Sequence, residues 1–309
     1  MIRLAQTPTP LQPLVRTSER LGVEVWVKRD DLTGAGLGGN KVRKLEYLLA
    51  DALARGCRRV VTCGGVHSNH ARATVVAARQ LGLQPALLLR GTEPDTPTGN
   101  LLIDQLSGAE IHYVDPAGYA DRAERLRALA GPDGYVIDEG GSNGLGALGF
   151  VSARAELARQ TDALGVAFDS LVVAVGSGGT LAGLAAAPTA TRVVGVPVCD
   201  DAPTFDRILA RIGGELSALG HTLGPYELVE GFQGPGYGLT TSPQIDAMAR
   251  LAREEGVLLD PTYTGKAWHA LEALAAEGRL GRRTCFWHTG GLFGWFGQGE
   301  LLEGLRPES

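Results

Sequence analysis

The stretch Val172–Gly183, VVAVGSGGTLAG, is a strand that passes through a glycine-rich loop into a helix. It opens with an apolar, largely β-branched run that is typical of a buried strand. In the loop, successive glycines allow backbone N–H groups to converge on one anion, and Ser177 and Thr180 add hydroxyl donors. The segment 176–180 therefore predicts a site for a single phosphate group, with a plain tight turn as the alternative.

The same alternation of strand and helix continues along most of the chain. Apolar, β-branched runs predict strands at 23–27, 59–63, 86–89, 111–114, 135–137, 171–175, 192–198 and 285–287. Helical periodicity separates several of these runs, as at 42–54, 71–81 and 119–129. This pattern predicts an α/β fold with two open parallel sheets, each covered by helices. We expect a small domain at 44–153, a large domain formed by 1–43 and 154–309, and a ligand cleft at the carboxyl ends of the strands.

The composition of the 309 residues limits the partners of the chain. A net charge of −5 without a basic run provides no electrostatic surface for nucleic acid. No apolar stretch approaches the roughly 20 residues that span a bilayer, and the start of the chain lacks the apolar core of a secretory signal. The four cysteines lack metal-ligand spacing, so they predict reduced thiols in a cytoplasmic protein without a bound metal.

Lys41 lies where a glycine-rich turn, 33–40, runs into an amphipathic helix. An ammonium group held in a tight pocket loses its proton more easily than one in solvent, and the neutral amine is a nucleophile that can form a Schiff base. The glycines of the turn also permit another interpretation. Gly34, Gly36 and Gly39 match the spacing of a dinucleotide-binding loop, which would predict a nicotinamide-dependent dehydrogenase.

Two features weigh against the dehydrogenase. The segment Lys28–Asp31, which precedes the turn, is too charged for the central strand of a dinucleotide fold. The next strand ends in Cys63–Gly65 and carries no acid that would bind a ribose. The dehydrogenase is therefore the weaker interpretation.

Polar residues follow the strand at 59–63. Ser68 and Asn69 stand at the start of the next helix, where both are good caps. The functional alternative uses the free N–H groups there to bind a substrate carboxylate, with the Ser68 hydroxyl facing the reacting centre. His67 and His70 are predicted to support this loop rather than bind a metal, because no carboxylate or cysteine partner is near them in the sequence.

Two tyrosines and one further loop complete the candidate site. Tyr237 lies between glycines, and Tyr263 lies in the segment Asp260–Lys266. Both are predicted to line a pocket, with a structural phenol as the alternative for each. The loop His288–Gly291 follows a strand and is predicted to form another edge of the pocket.

Together these motifs resemble the tryptophan-synthase-β-like (fold type II) pyridoxal-phosphate enzymes, and among them the D-cysteine desulfhydrase and 1-aminocyclopropane-1-carboxylate (ACC) deaminase family. The resemblance covers nearly the whole chain and rests on the motifs at 28–31, 39–46, 68–70, 141–143, 176–180, 236–238, 263–266 and 288–291. It implies pyridoxal 5'-phosphate in the cleft between two domains, a small amino-acid substrate and a homodimer. The glycines before Lys41 are then expected to make room for the cofactor ring.

The resemblance also implies a role for each motif. Lys41 would form the Schiff base with the cofactor, Lys44 would approach its phosphate, and Asn69 would bond its phenolic oxygen. The remaining cofactor contacts would come from Gly176, Ser177, Gly178, Gly179, Thr180, Thr264 and Thr289. Ser68, Asn69, His70, Tyr237 and Tyr263 would face the substrate, with Ser68 and the two tyrosines counted with Lys41 as catalytic residues.

Two positions separate the activities within this family. The deaminases have glutamate directly after the second tyrosine and leucine in the His-x-Gly-Gly motif, whereas this chain has Thr264 and Thr289. A threonine hydroxyl cannot hold a proton on the pyridine nitrogen as a glutamate does, but a weaker electron sink still suffices to expel a thiolate. The resemblance therefore favours α,β-elimination of D-cysteine to pyruvate, ammonia and hydrogen sulfide.

Three alternatives stay open. The chain could be an ACC deaminase, an L-cysteate sulfo-lyase or a lyase for another β-substituted amino acid. It could also be a pyridoxal-phosphate-binding protein of low activity, or the dehydrogenase considered above. His67 stands where the family commonly has glutamine, and the segment 292–295 is bulkier than usual, so both leave the substrate open.

Overall fold

The computed structural model describes residues 1–186, 190–298 and 301. Ten strands lie within this part of the chain: β1 Leu11–Pro13, β2 Glu24–Arg29, β3 Arg59–Gly65, β4 Gln84–Arg90, β5 Glu110–Val114, β6 Gly134–Val136, β7 Ser170–Val175, β8 Arg192–Pro197, β9 Glu227–Leu228 and β10 Arg283–His288. Each of the eight predicted strands overlaps one of them. The sequence did not reveal β1 and β9, because strands of three and two residues are too short to show alternation.

The strands form two sheets. The larger has the order β1-β2-β10-β7-β8-β9, and only its edge strand β1 runs antiparallel to its neighbour. The smaller has the order β5-β4-β3-β6 and is entirely parallel. The predicted α/β fold with two open parallel sheets is therefore confirmed, apart from the antiparallel edge strand.

Helices cover both sheets. They are α1 Val15–Leu21, α2 Lys41–Ala54, α3 Asn69–Gln80, α4 Gly99–Leu106, α5 Pro116–Ala120, α6 Arg122–Ala130, α7 Gly144–Leu164, α8 Gly179–Ala185, α9 Ala202–Ala218, α10 Ser242–Glu255 and α11 Thr264–Ala276, with 3₁₀ turns at Asp30–Leu32, Glu139–Gly141 and Leu292–Gly297. The helix predicted at 119–129 is two helices that meet at Asp121, because Asp115 and Pro116 start a separate first turn. No helix of the described residues is long and apolar enough to cross a membrane.

The large sheet has a core on each face. Along β7, Val172 and Ala174 pack on one side, where α10 and α11 contribute buried residues. Leu171, Val173 and Val175 pack on the other side with residues of α7, α8 and α9. Because both faces are covered, the strand has the continuous apolar run that made it recognisable in the sequence.

The two predicted domain boundaries fall inside α2 and α7. These helices are continuous, and they approach each other so closely that a Cβ at Gly149 would lie 2.2 Å from the carbonyl oxygen of Arg43. The limits at 43/44 and 153/154 therefore stay a prediction.

Four buried charges join α2 and α7 to the large sheet. Asp30 accepts two hydrogen bonds at 2.8 Å from Arg43, and Glu156 accepts two at 3.0 Å from the same guanidinium. Glu156 also binds Lys28 on β2 at 2.5 Å. The charges of Lys28–Asp31 thus do not keep β2 out of the sheet interior, because each buried charge there has a partner.

Candidate active site

The carboxyl ends of strands from both sheets meet at a cavity of about 1050 Å³. The large sheet contributes the loops after β7 and β10, and the small sheet contributes the loops after β3 and β6. The predicted site residues on its wall are Lys41, Ser68, Asn69, His70, Gly176, Ser177, Gly178, Thr180, Tyr237, Tyr263 and Thr289. Lys44 and Gly179 lie directly behind the wall, where both bond the cavity-lining residue Ser142.

Lys41 is the first residue of α2, and its side chain lines the cavity. Its Nζ donates to Asn40 Oδ1 at 3.0 Å and lies 5.6 Å from the centre of the Tyr263 ring. Burial lowers the pKa of Lys41 to about 8; the positive charge of Arg72 lowers it further, and Asp260 opposes the shift. A fraction of this amine is therefore neutral near neutral pH and able to attack a carbonyl carbon.

A second amine, Lys44, lies nearly one helical turn further along α2. Its Nζ donates to Ser142 Oγ at 2.9 Å, and Ser142 Oγ lies 2.7 Å from Ser177 Oγ. The same hydroxyl accepts a hydrogen bond from Gly179 N–H at 3.3 Å. Burial, together with the charge of Lys41, holds the pKa of Lys44 well below its ordinary value. An anion bound at this loop would accept hydrogen bonds from these groups, and its negative charge would favour the protonated form of Lys44.

The glycines before Lys41 do not make room for a cofactor ring, which corrects the expectation from the sequence. A Cβ at Gly39 would lie 2.8 Å from the carbonyl oxygen of Thr289, and a Cβ at Gly290 would lie 2.5 Å from Gly39 Cα. Both glycines have positive φ, 119° and 82°. Asn40 N–H also donates to Thr289 O at 3.0 Å. The backbone before Lys41 instead packs directly against the backbone of Thr289 and Gly290, and this contact joins the start of α2 to the loop after β10.

Ser68 caps α3, as its position in the sequence predicts. Its Oγ accepts a hydrogen bond from Ala71 N–H at 3.2 Å while the side chain also lines the cavity. A Cβ at Gly64 would lie 2.5 Å from this oxygen, so the glycine at the end of β3 is what allows the hydroxyl to reach its place. The capping role and the cavity position of Ser68 are therefore compatible.

His70 is a buried hydrogen-bond donor whose ring lies at the cavity wall. Its Nε2 lies 2.8 Å from Thr62 Oγ1, and Thr62 uses its own proton on the carbonyl of Ile137. Nε2 therefore carries the proton that joins the two side chains. Burial, followed by the charges of Lys41 and Lys44, holds the pKa of His70 well below its ordinary value. The imidazole is thus neutral near the two amines.

The two tyrosines form a pair across the cavity. Their hydroxyl oxygens are 2.9 Å apart, and their rings meet edge to face with centroids 6.0 Å apart. The Tyr263 ring covers the loop after β7, since a Cβ at Gly176 would lie 2.7 Å from Tyr263 Cε1. Burial raises the pKa of both Tyr237 and Tyr263, so both phenols keep their protons.

Lys266 holds the turn that carries Tyr237. Its fully buried Nζ donates to the carbonyl oxygens of Val198, Gln233 and Gly236 at 3.0, 2.6 and 2.8 Å. These three acceptors use all the N–H groups of the ammonium. The turn at 234–238 is thereby tied to the end of β8, which fixes where the Tyr237 side chain starts.

Thr264 does not reach the cavity, contrary to the predicted contact with the cofactor. It is fully buried, and its hydroxyl donates to Asp260 Oδ1 at 2.6 Å and accepts from Asp260 N–H at 2.7 Å. The other oxygen of this carboxylate accepts from Tyr263 N–H at 3.0 Å. Position 264 can therefore influence the site only through Asp260 and Tyr263. Thr289, the other distinguishing threonine, does line the cavity.

The two unusual features noted in the sequence lie outside the cavity wall. The His67 ring packs on the 3₁₀ turn, where a Cβ at Gly297 would lie 2.9 Å from its Cε1. Trp295 Nε1 donates to the carbonyl of Leu259 at 2.6 Å, and the Phe293 ring lies 4.8 Å from the guanidinium carbon of Arg72. These bulky side chains fill space behind the site rather than within it.

Comparison with known proteins assigns the chain to a family whose cofactor suits this cavity. The family model described as pyridoxal-phosphate dependent enzyme matches residues 2–290. The chain belongs to this family. A relative from Thermotoga maritima, provisionally named as an ACC deaminase, is 42% identical over 97% of this chain and 99% of its own length. A D-cysteine desulfhydrase from Serratia proteamaculans is 41% identical over 93% of this chain and 92% of its own length.

A solved structure agrees as well. The crystal structure of an ACC deaminase homologue superposes with a TM-score of 0.88 at 40% identity, covering 99% of this chain and 96% of the other. The protein is therefore a pyridoxal-phosphate-dependent lyase of the ACC deaminase and D-cysteine desulfhydrase type. This assignment excludes the alternative interpretation of the sequence as a nicotinamide-dependent dehydrogenase.

The residues of the cavity fit pyridoxal phosphate. The donors around Ser142, namely Lys44, Ser177 and the N–H of Gly179, would hold the phosphate, because they meet at one hydroxyl without a carboxylate among their bonded partners. Lys41 would hold the carbonyl end, since its amine is partly neutral and faces the same cavity. When bound, the cofactor supplies a carbonyl for the substrate amine and a ring that withdraws electrons from the substrate α-carbon.

Sequence reasoning left several residues of this lyase without a role. Asn40 bridges Lys41 and Thr180, because its Nδ2 donates to Thr180 Oγ1 at 2.9 Å. Ser142 follows β6 of the small sheet and bonds Ser177 in the loop after β7 of the large sheet, so it links the two sheets. Both belong to motifs that carried the resemblance, so the signal was present but unassigned. No sequence signal pointed to Asn100, which donates a hydrogen bond to Asn69 from behind the cavity wall.

Proposed function

We propose that the enzyme catalyses α,β-elimination of a β-substituted amino acid, with D-cysteine as its substrate. Elimination releases hydrogen sulfide, and water then hydrolyses the remaining enamine to pyruvate and ammonia. The observation that carries this proposal is the threonine at position 264, where the deaminases of the family have glutamate. Here a neutral hydroxyl is buried against Asp260 and the cavity receives no acid from this position. An elimination with a thiolate leaving group does not need the stronger electron withdrawal that an acid there would provide.

The residues of the cavity suit the proton transfers of this reaction. We propose that the Lys41 amine, which faces the cavity, would remove the α-proton of the substrate, since its pKa of about 8 suits a general base. Ser68 and the N–H groups at the start of α3 would hold the substrate carboxylate. The paired phenols of Tyr237 and Tyr263 keep their protons and can donate one to the departing sulfur.

ACC deamination is the second candidate. It is favoured by the similarity to the relative from Thermotoga maritima and to the crystal structure of the ACC deaminase homologue, which are 42% and 40% identical to this chain. L-Cysteate sulfo-lyase activity on the same scaffold is a further possibility to test, because its leaving group is also on the β-carbon. The alternative from a different class is a cofactor-binding protein of low activity.

The deciding experiment compares purified holoenzyme with D-cysteine, L-cysteine, L-cysteate and ACC as separate substrates. Pyruvate with sulfide from D-cysteine supports the proposal, pyruvate with sulfite indicates the sulfo-lyase, and 2-oxobutyrate indicates the deaminase. Lys41→Ala supplied with free cofactor measures the background reaction of cysteine with pyridoxal phosphate. Rapid turnover of another substrate without turnover of D-cysteine would reject our choice. A visible cofactor spectrum that no substrate changes would indicate the low-activity binding protein.

We also propose a homodimer in the cytoplasm. The first part follows from the family resemblance, and the second from the four cysteines, which are all free thiols and suit a reducing compartment. Sedimentation analysis of the holoenzyme measures the oligomeric state, and cell fractionation measures the compartment.

A further inference from the structure

We infer that Asn100 is a positioning residue that fixes Asn69 as a hydrogen-bond donor toward the cavity. Asn100 lies on α4, is fully buried and does not line the cavity. Its side chain makes three hydrogen bonds, to Arg72, to the backbone of His67 and to Asn69. The inference concerns the site that we assign to the cofactor, so it rests on Asn69 facing pyridoxal phosphate.

The orientation of the Asn100 amide is fixed by two partners of opposite kind. Arg72 Nε donates to Asn100 Oδ1 at 2.8 Å, and a guanidinium can only donate. Asn100 Nδ2 donates to the carbonyl oxygen of His67 at 2.8 Å, and a carbonyl can only accept. Turning the amide over would place two donors against each other on one side and two acceptors on the other. The oxygen of Asn100 therefore faces Arg72.

This fixed orientation determines the orientation of Asn69. The second N–H of Asn100 Nδ2 donates to Asn69 Oδ1 at 2.9 Å. The carbonyl oxygen of the Asn69 amide is thus used behind the wall, and its NH₂ group remains for the cavity. No described residue accepts a hydrogen bond from Asn69 Nδ2, although the side chain lines the cavity. Asn69 can therefore offer a donor, but not an acceptor, to a ligand oxygen.

Arg72 is itself held firmly. Its guanidinium donates to the carbonyls of Gly36 and Gly38, the latter at 2.9 Å, and stacks on the Phe293 ring. These contacts tie the turn before Lys41 to the helix that carries Asn69. A ligand with an ionised oxygen beside Asn69, such as the phenolic oxygen of pyridoxal phosphate, would be stabilised by this donor. The same oxygen would be repelled if the amide were reversed.

The test compares Asn100→Asp with Asn100→Ala. Aspartate keeps the volume of asparagine but can only accept, so Asn69 would turn its NH₂ group to residue 100 and its carbonyl to the cavity. Alanine leaves Asn69 free to keep its donor toward the ligand. We expect the dissociation constant of pyridoxal phosphate for the apo-protein to rise roughly 10- to 150-fold in Asn100→Asp and less in Asn100→Ala. A role in packing alone predicts the reverse order, because alanine leaves a cavity.

Two further readouts separate this role from misfolding and from the choice of substrate. In the Asn100→Asp holoenzyme, we expect the visible absorbance to shift toward the form in which the phenolic oxygen holds a proton. In an Asn69→Ala background, replacing Asn100 by Asp should change the cofactor dissociation constant little, because the group that Asn100 orients is gone. Urea unfolding of each apo-variant identifies any that is not folded.

The inference would be overturned by either of two results. One is an Asn100→Ala variant that binds the cofactor as weakly as Asn100→Asp or more weakly. The other is a penalty for Asn100→Asp that persists undiminished in the Asn69→Ala background. Neither measurement requires turnover of D-cysteine, so a different natural substrate would reject the proposed function and leave this inference intact.

Discussion

Arg43→Met should strongly destabilise the folded enzyme, although Arg43 does not line the cavity. Arg43 makes five hydrogen bonds of 2.8–3.1 Å, all to Asp30, Glu156 and Thr9. The two carboxylates are balanced by the two cations, Arg43 and Lys28, so methionine at position 43 would leave one buried negative charge without compensation. Removing one partner from a buried ion pair costs about 3–5 kcal/mol.

Urea unfolding of the apo-proteins measures this cost without the contribution of cofactor binding. The matched control is Arg55→Met, because Arg55 pairs with Asp51 near the end of the same helix but is largely exposed. We expect the control to change the free energy of unfolding far less, because solvent screens an exposed ion pair. A double variant with Glu156→Gln and Arg43→Met should be more stable than Arg43→Met alone, because it restores the balance of buried charge.

Two results would refute this reasoning. The first is an unfolding midpoint of Arg43→Met equal to that of the Arg55→Met control, which would mean that the network contributes no more than a surface pair. The second is a double variant that is less stable than Arg43→Met, which would mean that the uncompensated charge is not the source of the cost.

Three further outcomes follow from the site. Lys41→Ala should lose the visible cofactor absorbance, and the control variant Lys266→Met should retain it. The rate at which wild-type apo-protein takes up cofactor should rise through about pH 8, because only the neutral amine of Lys41 attacks; a pH-independent rate would contradict this. Burial opposes ionisation of Glu156, but Arg43 and Lys28 lower its pKa from 4.5 to about 2. The free energy of unfolding should therefore fall as the pH drops through this interval, and it should fall less in Glu156→Gln. Thr264→Val should cost about 1.5–3 kcal/mol in urea unfolding, because it removes a hydroxyl donor from a buried carboxylate; no loss would mean that Asp260 does not need this bond.

The positions of the strands were predictable because burial on both faces imposes a pattern on neighbouring residues. The run at 171–175 is apolar throughout, and it forms the interior strand β7. The break at Asp121 was not predicted, because the apolar periodicity at 119–129 continues across it. The short strands β1 and β9 depend on pairing with distant segments and left no local signal.

The candidate site was predictable to the extent that its motifs are local. The loop at 176–180, the turn into Lys41 and the cap at Ser68 each combine residue types within a few positions. Their convergence on one cavity follows from a general property of parallel sheets, in which loops at the carboxyl ends of strands face the same side. Thr264 shows the limit of such reasoning, because its neighbour Tyr263 enters the cavity while its own side chain turns to Asp260.

The sequence by itself determined the α/β fold, the family and the reactive amine Lys41, because these depend on hydrophobic pattern and on residues adjacent in the chain. Only the tertiary structure decided how the site is supported. The glycines before Lys41 proved to receive the backbone of Thr289 and Gly290, and Asn69 proved to be oriented by Asn100. Hydrogen bonds between side chains depend on distance and direction in space, and residues far apart in the chain meet only after the helices have packed.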